Sequence, residues 1–189
     1  MVIVGVMDTG IQANHPDLIN NICIENLHRD FTVFPTAEVM YSDLVDPNGH
    51  GTHVAGIIGG QDEEITGVAV NTQLVLLKVF PDLDSGAKTD DILAALEDAV
   101  LLGVDAINMS LGTACGFSRE KDGDAINTVY DKINESGISL ITAASNDYTS
   151  AYGGEQGNTS FVTNPDNGTI GSPSTYPASL SVASILSLI

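Results

Sequence analysis

The sequence predicts an α/β fold with a mainly parallel sheet and helices on both faces. Three observations carry that expectation. Short apolar runs rich in β-branched residues alternate with segments of helical periodicity. The runs are apolar almost throughout, as strands buried on both faces must be. Chemically distinctive residues stand at the ends of several runs, where open parallel sheets place their binding crevices.

The elements follow in order. Residues 2–7, "VIVGVM", read as a first buried strand ended by "DTG". Residues 50–58 read as a helix of small and apolar residues. "QLVLLKV", residues 73–79, is a second buried strand. "TDDILAALEDAVLLG" is a helix with Thr89 or Asp90 as N-cap and Gly103 at its C-terminal stop. "VDAINMS" is a third strand. Residues 124–135 are an amphipathic helix with Ile126, Val129, Tyr130 and Ile133 on one face and Gly137 just beyond. "GISLITAAS" is a fourth strand and "LSVASI" a fifth. Residues 148–174 are rich in Gly, Asn, Ser, Thr and Pro and read as a long loop.

A chain of 189 residues suffices for one domain with a sizeable core. No apolar run is long enough for a membrane helix, so membrane insertion is not expected. The net charge of −19 repels nucleic acid and anionic lipid, and both are set aside as partners. Two cysteines, Cys23 and Cys115, are too few for a disulfide framework and read as buried free thiols. No signal peptide is visible. A core strand beginning at the second residue suggests that Met1 is not a natural start.

"PNGHGTHVAG", residues 47–56, places two histidines three apart among small residues at the start of a helix. A zinc site would need a further ligand such as Asp43 or Asp46, and the segment lacks a His-Glu-x-x-His arrangement. The alternative gives the two histidines separate roles. His50, flanked by Gly49 and Gly51, projects into a crevice, while His53 packs or makes a structural hydrogen bond. Asp8, at the end of the first strand, is costly to bury unless it meets a partner such as an imidazole N–H. Ser110 and Asn146 stand at the ends of the third and fourth strands. Taken singly, Asp8 and Asn146 are ordinary turn residues and Ser110 a small strand-end residue.

Together these segments carry a resemblance. "VGVMDTGIQANHPDL" followed by "NGHGTHVAGIIGG" resembles the aspartate and histidine motifs of the subtilisin-like serine proteases, in that family's order. "DAINMSLG", "LITAASND" and "SPSTYPASLSVASI" resemble further segments of the same family, in register along the chain. The resemblance implies a three-layer subtilisin-like fold and peptide-bond hydrolysis through an Asp-His-Ser triad. Asp8 would orient His50, the general base, and Asn146 would donate to the oxyanion. Ser110, Leu111 and Gly112 would pair with the substrate backbone as an added strand, with a second edge near residues 84–86. The implied partner is a protein or peptide substrate and the implied location is secreted or cell-surface. No organic cofactor is implied.

The resemblance also marks departures. The family's nucleophile lies in a Gly-Thr-Ser-x-Ala-x-Pro motif, and no such motif occurs in the chain. The expectation is a truncated domain: residues 1–189 as part of a peptidase domain without pro-segment or serine portion, and inactive alone. Apolar surface left by the missing helix would favour self-association. A non-catalytic subtilase-like binding scaffold and a divalent-metal hydrolase built on His50 and His53 are the rivals. No metal ligands are assigned. A structural calcium ion near Asp62, Glu63 and Glu64 is an option, in a loop short for that purpose. Ser145 stands where the family usually has glycine, and Ser172–Pro173 falls where it often has a cis peptide.

Overall fold

The computed structural model describes residues 1–63, 66–82, 86–113, 125–146 and 170–183. Among these residues seven strands form one sheet: β1 (Ile3–Asp8), β2 (His28–Asp30), β3 (Ala37–Val39), β4 (Gln73–Lys78), β5 (Ala106–Met109), β6 (Ser139–Ala143) and β7 (Leu180–Val182). Their spatial order is β3-β2-β4-β1-β5-β6-β7. Every pairing is parallel except that of β2 with β3. Among the described residues, three α-helices accompany it: α1 (His50–Gly59), α2 (Thr89–Leu102) and α3 (Ala125–Glu135).

Strand alternation divides the interior into two cores. Val6 of β1 and Leu74 and Leu76 of β4 meet Ile11, Leu18, Ile22 and the α1 residues Val54 and Ala55. Their sequence neighbours Met7, Val75 and Leu77 point the other way, to Ala95, Leu96 and Ala99 of α2 and Tyr130 and Ile133 of α3. Side chains alternate with a period of two along a strand, so a central strand must be apolar on both faces. The result is the three-layer arrangement of an α/β domain, α1 on one face and α2 and α3 on the other. On the α3 side the Tyr130 and Tyr176 rings stack at 4.7 Å.

His28, a polar residue in this interior, is fully buried. Its Nδ1 accepts the backbone N–H of Leu76 at 2.9 Å, and its Nε2–H donates to the Cys23 carbonyl at 2.7 Å. These bonds fix the neutral tautomer with the proton on Nε2. Burial, followed by the charge of Arg29, moves the His28 pKa below its ordinary value against the pull of the Cys23 carbonyl.

Several expectations are corrected. β2 and β3 are not among the expected strands: "HRD" and "AEV" are three residues each, the first wholly polar, held by β4 and by each other. The N-cap of α2 is Lys88, without a side-chain cap bond, not Thr89 or Asp90. Asp90 and Asp91 lie in the first turn instead, where carboxylates favour the positive end of the helix. α3 begins at Ala125, and Asp124 lies outside the described residues. Cys23 is a buried free thiol, as expected, while Cys115 lies outside the described residues. Of the expected loop 148–174, only residues 170–174 are described. The Ser172–Pro173 bond is cis, as expected, and so is Phe34–Pro35.

Candidate active site

β1 ends at Asp8 between β4 and β5, in the middle of the sheet. The connection from β1 runs toward β2 and β4, and that from β5 runs to β6 on the opposite side. This is a point at which neighbouring strands send their connections apart, and a crevice opens at their carboxyl ends. Asp8 is fully buried there. Its Oδ1 accepts Nδ1–H of His50 at 2.7 Å and its own neighbour's N–H, from Thr9, also at 2.7 Å. Its Oδ2 is buried without a hydrogen-bond partner among the described residues. Burial raises the Asp8 pKa above the ordinary carboxylate value, and the bonds from His50 and Thr9 pull it only part of the way back. His50 leads α1, and its side chain is half exposed.

A second set of bonds clamps α1 to the end of β1. The N-cap position is Gly49, in the left-handed region at φ 89°, and has no side chain with which to cap. Asp46 supplies the cap from upstream. Its Oδ2 accepts the backbone N–H of Thr52 at 2.9 Å and the Thr52 hydroxyl at 2.7 Å. Its Oδ1 accepts the Thr9 hydroxyl at 2.9 Å. That hydroxyl in turn accepts the N–H of Gly51 at 3.0 Å, and Asn48 Oδ1 accepts the N–H of His50 at 3.2 Å. Orphan donors of the first helical turn are thus satisfied by side chains. Burial works against the Asp46 carboxylate, but the Thr52, Gly49 and Thr9 donors outweigh it and hold its pKa below the ordinary value. Gly51 lets the two segments touch: a Cβ there would lie 2.1 Å from the Gly10 carbonyl oxygen and 3.1 Å from Asp8 Cβ. The buried Lys78 of β4 donates to the Thr9 carbonyl and pairs with Asp82 at 2.9 Å.

The crevice is a cleft of about 490 Å³. His50 lines it together with Ser110, Leu111 and Gly112 from beyond β5, and Ser145 and Asn146 from beyond β6. All six candidate residues from the sequence therefore gather at one end of the sheet, five of them on the cleft and Asp8 buried behind His50. The Ser110 hydroxyl accepts Nδ2–H of Asn108 at 2.9 Å. Phe80, just past β4, forms the side of the cleft near His50 and also lines an adjoining, mostly apolar hollow of about 420 Å³ with Leu93, Leu111, Ile126 and Tyr130. The second edge expected near residues 84–86 lies mostly outside the described residues, although Gly86 lines that hollow.

His53 departs from expectation. It is exposed and lines a separate surface hollow with His15, Asp17 and Gly56, so the two histidines of the motif face different spaces. Asp46, weighed as a metal ligand, spends both oxygens on the α1 clamp. Among the described residues no three His, Cys, Asp or Glu side chains converge as a metal-holding group. Asp62 and Glu63 line a shallow concavity with Gln61, Thr66 and Val70, and Glu64 lies outside the described residues. Sequence reasoning missed Thr9, Asp46, Thr52 and Phe80. A carboxylate just upstream of a glycine-flanked helix start was the signal available for Asp46.

Comparison with known proteins adds to this geometry. Residues 1–187 match the subtilase family. The PII-type proteinase of Lacticaseibacillus paracasei is 32% identical over 213 residues, covering 96% of this chain and 11% of that protein. Subtilisin of Bacillus pumilus is 34% identical over 184 residues, covering 96% of this chain and 56% of that protein. The chain thus spans little more than half of one and about a tenth of the other. Among solved structures, S41 psychrophilic protease superposes with a TM-score of 0.70 at 29% identity, over 97% of this chain and 53% of that one.

Proposed function

Because this chain belongs to the subtilase family, a family of serine proteases, we propose that it forms the aspartate–histidine side of a serine endopeptidase site that cleaves peptide bonds through an acyl-enzyme. The observation that carries this reading is the 2.7 Å bond from His50 Nδ1–H to the buried Asp8, at the head of the cleft shared by Ser110, Leu111, Gly112 and Asn146. Asp8 fixes the tautomer that leaves Nε2 of His50 unprotonated. Nε2 takes the proton of the serine nucleophile and returns it to the leaving amine, and Asp8 stabilises the intervening imidazolium. The Asn146 carboxamide donates to the oxygen on which negative charge develops, a contact whose loss typically costs ~10²–10³ in kcat.

An extended substrate lies along Ser110, Leu111 and Gly112 and takes backbone hydrogen bonds as an added strand. The apolar hollow beyond Phe80 accepts an apolar side chain further along it. The nucleophile comes from outside these residues, since the Gly-Thr-Ser-x-Ala-x-Pro motif is not among them. The chain alone is accordingly inactive, and the complete protein acts on protein or peptide substrates outside the cell.

The test is peptide hydrolysis by the complete natural protein that carries this chain, together with its His50→Ala and Asn146→Ala variants. Hydrolysis that His50→Ala abolishes and Asn146→Ala cuts by ~10²–10³ supports the proposal. A complete protein that binds peptides but cleaves none, with or without His50, would establish the binding-scaffold reading in its place.

A further inference from the structure

Among the described residues, Ser145 is the only non-glycine in the left-handed region, at φ 115°. A side chain is strained there and glycine is not. Such strain persists only where the surroundings over-determine it, and it gathers at functional sites. The surroundings here are specific. The N–H of Gly171 donates to the Ala144 carbonyl at 2.8 Å, and Thr113 and Ser172 exchange two backbone bonds of 3.0 Å each. Residues 171–172 are thereby stapled across the ends of β5 and β6. Gly171 is required by the contact: a Cβ on it would stand 3.2 Å from Ser145 Cβ and 2.9 Å from the Thr113 carbonyl oxygen. The Ser145 side chain fills the space that Gly171 leaves, at the wall of the cleft beside Asn146.

We infer that Ser145 is a specificity-determining residue, which narrows the cleft so that the preferred substrates are peptides with a small residue immediately before the scissile bond. The inference rests on the peptidase reading. A peptide paired on Ser110, Leu111 and Gly112, with its carbonyl at Asn146, sends the side chain before that carbonyl between the ends of β5 and β6. One wall there is the backbone of Leu111 and Gly112. The other would be bare backbone were residue 145 glycine, and instead carries a hydroxymethyl group backed by the Gly171 staple. Steric exclusion by one or two heavy atoms in a tight pocket changes selectivity by roughly 10–200-fold.

The experiment uses the complete protein and two fluorogenic peptides that differ only in alanine or phenylalanine before the scissile bond. The wild type should prefer alanine. Ser145→Gly should raise kcat/KM for phenylalanine relative to alanine by about tenfold or more. Ser145→Ala keeps the Cβ and should stay near the wild-type ratio. If Ser145→Gly folds poorly, Ser145→Thr carries the test, with a further fall in the phenylalanine rate expected. An alanine-to-phenylalanine ratio unchanged across the variants overturns the inference while leaving the peptidase reading intact. Failure of the wild type to cleave any peptide overturns both.

Discussion

His50 holds Asp8 by one oxygen only: Nδ1–H reaches Oδ1 at 2.7 Å, and the buried Oδ2 has no partner among the described residues. Asp8→Asn preserves the shape of the site but lets the carboxamide donate where the carboxylate could only accept. In the complete protein kcat should fall on the order of 10⁴-fold, with a smaller change in KM. Stability should respond to pH as well. The Asp8 pKa is raised, chiefly by burial, so its contribution is fully present below the unfolded value of 3.8 and lost as pH rises through the folded one. Urea unfolding of wild type and Asp8→Asn across pH 3–8 should therefore diverge, the wild type gaining relative stability toward acid. Parallel curves would refute this.

The buried His28 shifts in the opposite direction. Protonating Nδ1 would set it, as a donor, against the Leu76 N–H that it now accepts. With the folded pKa below the unfolded 6.5, the stabilisation is present above 6.5 and is lost as pH falls through the folded value. His28→Leu should remove that acid-dependent loss. It should also lower stability at pH 8 by about 2–4 kcal/mol, because the Leu76 N–H and the Cys23 carbonyl are left buried and unpaired. Chemical denaturation at pH 8 and pH 5 measures both effects.

Asp46→Ala removes the cap of α1 and the anchor of Thr9 together. The expected loss is about 1–2 kcal/mol in urea unfolding at neutral pH. The lowered Asp46 pKa means that this contribution is intact above the unfolded value of 3.8 and disappears as pH falls through the lower, folded one. Since the same bonds seat His50, kcat in the complete protein should fall about tenfold or more while His50 itself is untouched. Unchanged kcat with reduced stability would make Asp46 a helix cap and nothing further.

Gly51→Ala should be poorly tolerated, because its methyl would meet the Gly10 carbonyl oxygen at 2.1 Å. Opening that contact shifts α1 away from β1 and should cost at least about 2 kcal/mol by thermal unfolding. Gly56→Ala, with open space at its Cβ position, is the control.

Much of this was legible beforehand, for physical reasons. Val6, Met7 and Leu74–Leu77 had to be buried on both faces, and that apolar saturation announced a parallel sheet. Asp8, His50, Ser110 and Asn146 follow glycine-flanked or strand-end positions where a packing role is weak, so their chemistry showed. β2 and β3 were silent because each is only three residues long and β2 is wholly polar; pairing with β4, far along the chain, makes β2 a strand, and β3 pairs onto β2. The α1 clamp was silent because Thr9, Asp46 and Thr52 look like ordinary turn and cap residues until the fold brings them together. His53, one turn on from His50, is expected from the sequence to pack or to make a structural hydrogen bond. It is exposed instead and lines a hollow separate from the cleft that His50 lines.

β1 lies at the centre of the sheet although it precedes both of its neighbours, β4 and β5, in the chain. Its partners arrive late: Ile3 pairs with Gln73 in β4, and Val4 with Ala106 in β5. At about 5–20 residues per second on the ribosome, roughly 5–20 s separate the synthesis of β1 from that of its second neighbour. Throughout that interval an apolar strand has at least one edge bare and open to pairing with another nascent chain. Asp8 thus lies on a strand that must wait for its second neighbour, and the strand's edge is open to mispairing until β5 emerges.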